Sequence, residues 1–244
     1  MADLRNYQTR TAPAGARTGV GIDEGLRSYM LRVYNLMALG MAITGVAAYG
    51  TYALAVSNPA FAQVLYGSPL RWVVMLAPLA FVFFLSFRIH KMSVSAAQTT
   101  FWAYAALMGV SLSSIFLVFT GQSIVQTFFV TAASFGALSL YGYTTKRDLS
   151  GMGSFLFMGL IGLILAMVVN IFLASSALQF AISAMGVLIF AGLTAYDTQD
   201  IKNMYYEGDG YDVAGRKAIM GALRLYLDFL NLFIMLLQLF GDRR

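Results

Sequence analysis

The sequence predicts an all-α membrane protein with seven transmembrane helices, on the strength of two observations. The first is composition. Of 244 residues, 59% are hydrophobic and only 11% are charged, against roughly 25% charged in an average soluble domain. Mean hydropathy is +0.71. A water-soluble globule needs polar residues to cover its surface, and this chain has too few, so most of its outer surface must meet lipid. The second is where the charges fall. No Asp, Glu, Lys or Arg occurs from Met92 to Thr145, or from Gly153 to Ala195. A helix needs about 20 apolar residues to cross the hydrocarbon, so each run holds two helices and a tight hairpin. Only helices and closed barrels satisfy their own backbone in lipid, and the alternating pattern of barrel strands is absent.

In chain order, residues 1–28 form a polar tail with Arg5, Arg10, Arg17 and Arg27. No apolar core follows a charged start, so this is not a cleavable signal peptide. Asp3, Asp23 and Glu24 argue against a transit peptide. The tail is expected to be disordered and cytoplasmic, and residues 29–244 to form the transmembrane domain. The expected spans are Val33–Val56, Trp72–Phe87, Ala97–Phe119, Ile124–Tyr143, Gly153–Leu173, Leu178–Tyr196 and Ala218–Phe240. The second is short, has room to begin earlier near Leu65, and carries Pro78, which should kink it. Thr120–Ser123 and Ala174–Ala177 read as tight, uncharged hairpins.

Lys and Arg in short loops set the orientation. One side collects the tail arginines, Arg88 with Lys91, Lys146 with Arg147, and Lys202 with Arg216 and Lys217. The other has Arg71, two uncharged hairpins and the terminal Arg243 and Arg244, a mild contradiction. The first side is therefore expected in the cytoplasm, with the N-terminus inside and the C-terminus outside. The chain's 23 glycines fit close helix packing in lipid. No internal repeat supports an inverted-repeat transporter.

Several chemistries are disfavoured. There is no cysteine, hence no disulfide framework and no thiolate metal site. The one histidine, His90, sits among charged neighbours and reads as a loop residue. The net charge of +5 is spread between hydrophobic spans and is no nucleic-acid signal. No nucleotide motif or haem ligand set implies an organic cofactor, and no enzyme activity is expected.

Ionisable residues inside spans are costly and mark function by default. Asp197 ends the sixth span in Thr194-Ala195-Tyr196-Asp197-Thr198-Gln199-Asp200, and Asp228 lies within the seventh. Both belong to the cytoplasmic half. Asp228 lies about 10 Å up its helix from Gly221, so contact between the two needs tilt or a late exit of the sixth helix. Arg224, Asp228, Asn231 and Gln238 fall at i, i+4, i+7 and i+14, within an arc of about 80° on one face. That face should point into the bundle, which would make the last helix central. Asn231 and Gln238 then either face a polar pore or join helices by hydrogen bonds. Two carboxylates facing each other in a low dielectric share a proton. Protonated, the pair is neutral and closed. Ionised, it repels itself and offers oxygen ligands to a hard cation such as Ca²⁺. Arg88 is either a latch on this pair or a positive-inside anchor. Arg224, one turn from Asp228, is a rival partner.

Tyr196-Asp197-Thr198-Gln199, followed by Leu225-Tyr226-Leu227-Asp228-Phe229-Leu230-Asn231-Leu232-Phe233, resembles the Bax inhibitor-1 (transmembrane Bax inhibitor motif) family. The entry into the first span, Arg27 to Ala42, is compatible with it. The resemblance covers essentially all of the chain after the tail; its second motif is the more specific. The lack of cysteine and the short loops suggest a bacterial member in the plasma (inner) membrane. The resemblance implies seven helices around a central last one and a pH-sensitive calcium leak. It also implies that Asp197 and Asp228 sense protons and that an arginine on the second helix, matched by position at Arg88, latches them. Arg224 stands where a small or polar residue is expected, so the pH range of this chain is open. Some bacterial members resemble modulators of a membrane AAA protease.

Two rivals fail on residues. A retinal protein needs a lysine in its last span, and none lies between Ala218 and Phe240. An intramembrane aspartyl protease needs Gly-x-Gly-Asp at the start of its next span. Here Gly208-Asp209-Gly210-Tyr211-Asp212 lies in a charged loop with one residue too many, and Asp228 has no glycine before it. Two others stay open. One is a non-conducting regulator that binds another membrane protein through the acidic Asp200–Asp212 segment and the tail. The other is a proton-coupled exchanger.

Overall fold

The computed structural model describes residues 18–244. Seven long helices run through them: α1 (Thr18–Ser57), α2 (Leu70–Arg88), α3 (Val94–Leu112), α4 (Gly121–Thr144), α5 (Ser150–Leu173), α6 (Ser176–Asn203) and α7 (Tyr211–Phe240). All seven are long and apolar enough to cross a membrane. Most of the expected tail lies outside the described residues, but Thr18–Ser28 belongs to α1, so the boundary expected at residue 28 falls inside a helix.

Helices outrun their apolar spans mainly at one end. α6 continues seven residues past Tyr196 to Asn203, and α7 begins seven residues before Ala218. Hydropathy marks the thickness of the hydrocarbon; a helix continues beyond it wherever polar side chains leave the backbone ladder intact. The starts have local causes. The side chains of Asn58, Ser93, Thr120 and Ser175 each accept a bond from a backbone N–H three residues on, satisfying donors that a helix start leaves open. Before α5, Asp148 accepts hydrogen bonds from the Ser150 hydroxyl and backbone N–H, which hold its carboxyl below the usual carboxylate range. α5 ends at Ala174, whose φ of 47° is left-handed.

The expected third span, Ala97–Phe119, is not one continuous helix. α3 stops at Leu112, a serine turn follows, and Ile115–Val118 forms one further turn. The Ser113 hydroxyl donates to Val110 O at 2.6 Å and meets the Tyr66 hydroxyl at 2.7 Å. It thereby competes with the helix for its own carbonyls. Ahead of α2 lie a helical turn, Pro59–Ala62, and a π-type turn, Gln63–Gly67, so α2 starts at Leu70 and not near Leu65. Pro78 lies inside α2.

α7 packs against α1, α3, α4 and α6. In its apolar window 72% of residues are buried, against 11% to 39% in the other six. α2 and α5 are the least enclosed, at 11% each; among the long helices α2 leans chiefly on α3, and α5 on α6. Two apolar clusters meet along α7. One joins Phe101, Tyr104, Ile219, Leu223 and Tyr226 to α1 and α4. The other joins Leu163, Ile189, Leu232 and Met235 between α5, α6 and α7. Tyr226 is fully buried, and its hydroxyl meets the Thr44 Oγ1 at 2.6 Å.

Side-chain bonds collect the basic loops at one end. Lys202 donates to Tyr143 O (2.8 Å), Gln199 to Arg147 O (2.8 Å) and Arg216 to Met92 O (3.3 Å). At the opposite end the C-terminal residues lie beside the α3–α4 hairpin. Thr120 N–H donates to Asp242 O and Arg244 N–H to Val118 O, both at 3.0 Å.

Small residues bring α4 against α6. A Cβ at Gly142 would collide with the Ala195 backbone, which has no side-chain freedom to yield. Gly136, on the same helix, has open space where its Cβ would be. Gly142→Ala should therefore destabilise the fold by about 1–3 kcal/mol, the usual range for overpacking, and Gly136→Ala should not. Thermal unfolding of the two variants in one detergent checks the difference.

Candidate functional site

The junction of α6 and α7 near the basic end holds the charged residues that the sequence singles out. Register creates it. Gly221 of α7 faces Ile201 of α6, where a Cβ would meet the isoleucine side chain at 2.9 Å. With Ile201 seated there, Asp200 and, one turn further in, Asp197 of α6 come level with Arg224 of α7, and Asp228 follows one turn beyond Arg224. Because α6 exits late, at Asn203, Asp197 stands inside a helix and not at its end. The connecting segment folds back along α7, held by Lys217 through Met204 O (3.0 Å) and the Asp209 carboxylate (2.5 Å).

Arg224 is the hub. Its Nη2 donates to Asp197 Oδ1 at 2.6 Å and its Nη1 to Asp200 Oδ2 at 2.5 Å. The two aspartates stand three residues apart on one helix, which puts both on one face and lets a single planar guanidinium bridge them. Asp197 and Asp228 are buried, 8% and 5% exposed. Arg224, bonded to Asp197, stands one turn before Asp228 on α7, so both carboxyls belong to one charged cluster. Asp228 Oδ2 is buried with no donor from any N–H or hydroxyl among the described residues.

The other residues of the Tyr196–Gln199 motif each have a structural task. Tyr196 covers Gly153 of α5. Thr198 contacts the Ser139 hydroxyl at 2.9 Å, and Ser139 contacts the Tyr34 hydroxyl at 2.6 Å, a hydroxyl chain from α6 through α4 to α1. The Gln199 amide accepts from Leu149 N–H and donates to Arg147 O, both at 2.8 Å, and so holds the loop that starts α5.

The remaining sequence candidates do not join this cluster. Arg88 is exposed at the C-terminal end of α2 and pairs with neither aspartate. Asn231 donates to Leu227 O of its own helix at 2.9 Å. Gln238 lies at the opposite end, accepting from Gln179 (2.7 Å) and Ser183 (3.2 Å) of α6. Sequence reasoning missed Asp200. Its three-residue spacing from Asp197 matches the reach of one arginine, a signal that the acidic run from Asp200 to Asp212 obscures. No group of three or more His, Cys, Asp or Glu side chains that would hold a metal exists among the described residues. Asp197 and Asp228 alone supply few of the six to eight oxygens that Ca²⁺ takes.

The chain is similar to known proteins over most of its length. The family model described as inhibitor of apoptosis-promoting Bax1 matches residues 26–244. Inner membrane protein YbhL of Escherichia coli K12 is 48% identical, over 90% of this chain and 94% of that protein. A Rickettsia prowazekii protein is 49% identical, over 91% of this chain and 92% of its own length. A Caulobacter vibrioides protein is 46% identical over the whole of both chains.

The geometry separates the two candidate latches. Arg224→Gln leaves Asp197 buried without its cation and should cost about 1–3 kcal/mol, between the values for exposed and fully buried pairs. Arg88→Gln should change stability by less than about 0.5 kcal/mol, as exposed substitutions do. Denaturation midpoints of the two variants in detergent decide this, and a larger loss for Arg88→Gln would contradict the assignment.

Proposed function

We propose, for a chain that belongs to the Bax inhibitor-1 family, that it is a pH-sensitive leak for calcium or a similar cation, gated by Asp197 and Asp228. The observation that supports this reading is the Asp228 carboxyl, buried in the same cluster as Asp197, with one oxygen that has no donor among the described residues. A proton shared between the two carboxyls supplies the missing hydrogen bond and removes a charge from the low-dielectric bundle. In that state α6 and α7 are held together and the path is closed.

Loss of the proton changes the balance. Arg224 is already divided between Asp197 and Asp200, so one guanidinium then faces three carboxylates. The excess negative charge pushes α6 from α7 and attracts a divalent cation to the exposed oxygens. Arg224 is the latch in this scheme, and opening requires both loss of the proton and release of Asp197 from the guanidinium. Arg88 acts only as a charge anchor at the membrane surface. In this reading the protein sits in the inner membrane with its basic end in the cytoplasm, the N-terminus inside and the C-terminus outside, an orientation that the distribution of Lys and Arg supports.

A non-conducting regulator of another membrane protein, such as a membrane AAA protease, would present the Asp200–Asp212 segment to its partner. Two of that segment's carboxylates are occupied within the chain instead, Asp200 by Arg224 and Asp209 by Lys217. This favours the leak.

Purified protein in liposomes loaded with a calcium indicator tests the reading between about pH 5 and 8, a range within reach of buried carboxyl titration. Influx should be low at the acid end and rise with pH. The Asp197→Asn/Asp228→Asn variant should lose that dependence. Liposomes as tight as empty ones at every pH would remove the leak and leave the regulator.

A further inference from the structure

α1 and α4 both pack on α7, yet they barely touch each other; the contact that joins them is the Tyr34–Ser139 hydroxyl pair at 2.6 Å. Between them lies a lipid-facing cleft of about 370 Å³, walled by Leu31, Phe135, Leu140 and Tyr143 and opening toward Arg27. Gly136 is what leaves it open, since no atom occupies the space where its Cβ would be. Leu31 and Leu140 on the rim are 49% and 62% exposed. Seven residues of α1 separate Arg27 from Tyr34, about 10 Å of helix.

In water such a cleft would fill with solvent. In a bilayer its walls are at hydrocarbon depth, and an empty space would forfeit the dispersion contacts that its lining atoms make with a close neighbour. An acyl chain fits it. The mouth carries charge as well. Arg27 lines it directly. Lys202 lies outside the lining, its Nζ bonded to Tyr143 O and 5.2 Å from the Tyr143 ring centroid. Both belong to the lysine- and arginine-rich end, where lipid phosphates stand.

We infer that this cleft is a binding site for one anionic phospholipid, with an acyl chain between α1 and α4 over Gly136 and the phosphate beside Arg27. Tyr34 and Ser139 line it, and Ser139 contacts Thr198, the residue next to Asp197. The bilayer's charge composition thus has direct access to α6 two layers from the carboxyl pair. The inference stands whether or not the protein conducts ions.

The absence of cysteine from the chain makes a clean test possible. Leu140→Cys places a thiol on the rim of the cleft, 62% exposed, and leaves the space over Gly136 open. Phe129→Cys places one on the same helix at an ordinary lipid-facing position, 67% exposed. Each variant, labelled with a small fluorophore, is reconstituted in phosphatidylcholine vesicles that contain a minor fraction of brominated phosphatidylglycerol or brominated phosphatidylcholine. The Leu140→Cys probe should be quenched several-fold more by the anionic lipid at equal fraction, and the Phe129→Cys probe equally by both. Adding Arg27→Ala should weaken the preference about fivefold, the equivalent of roughly 1 kcal/mol for a basic residue near an anionic surface. Equal quenching by both lipids at Leu140→Cys would overturn the site. So would resistance to either lipid, which would mean that a second copy of the chain or a neighbouring helix covers the cleft. Native mass spectrometry of unlabelled wild type and Gly136→Phe gives a second reading: a retained phosphatidylglycerol in the first and none in the second is expected, and equal retention would overturn the site.

Discussion

A guanidinium inside a membrane bundle must find acceptors, and Arg224 finds two on a single face of α6. That requirement fixes how the sixth and seventh helices meet. Apolar contacts alone would do so poorly, because lipid tails satisfy an apolar side chain as well as another helix does. A bridge from Arg224 to both Asp197 and Asp200 tolerates one rotation of α6 and one register, that in which Ile201 seats against Gly221. Since α7 also packs on α1, α3 and α4, the same register carries through the bundle. The proximity of Asp228 to Asp197 is a consequence of it.

The polar face of α7 has no single role along its length. Arg224 and Asp228 belong to the charged cluster, Asn231 turns to its own backbone, and Gln238 ties α7 to Gln179 and Ser183. Their helical spacing is regular, but what each does depends on what the neighbouring helix presents at that depth. α6 offers carboxylates at one end and amide and hydroxyl groups at the other. Between the two lie apolar contacts such as Met235 against Gly186. A continuous stripe on one helix thus becomes two separate polar layers with a dry segment between them.

Glycines work in two opposite ways here. At Gly142 and Gly221 the missing side chain admits a neighbouring helix. At Gly136 it admits nothing from the protein, and the surface is left recessed toward the lipid. The recess and the charged cluster are joined by hydroxyls, not by apolar packing, so the membrane-facing side of α4 and the interior face of α6 are parts of one hydrogen-bonded unit.

The sequence by itself determined the number of helices, their order and the end that collects the basic residues, because hydrocarbon permits only long apolar helices and the gaps between charges measure their length. It also marked Asp197, Asp228 and Arg224, since a charge inside an apolar run is conspicuous wherever its partner lies. It did not reveal that α6 runs on to Asn203, that Ser113 interrupts the third span, or that Asp200 is a partner and not part of a solvated loop. Those depend on side-chain bonds that hydropathy does not encode. Nor did it choose between Arg88 and Arg224. Both lie near the same end in sequence, and only the rotation of α7 against α6 gives one of them two carboxylates while α2 stays at the edge. Spacing along one helix is local and is written in the chain. The pairing of one helix's face with another's is set by every contact in the bundle at once, and that is what the tertiary structure decided.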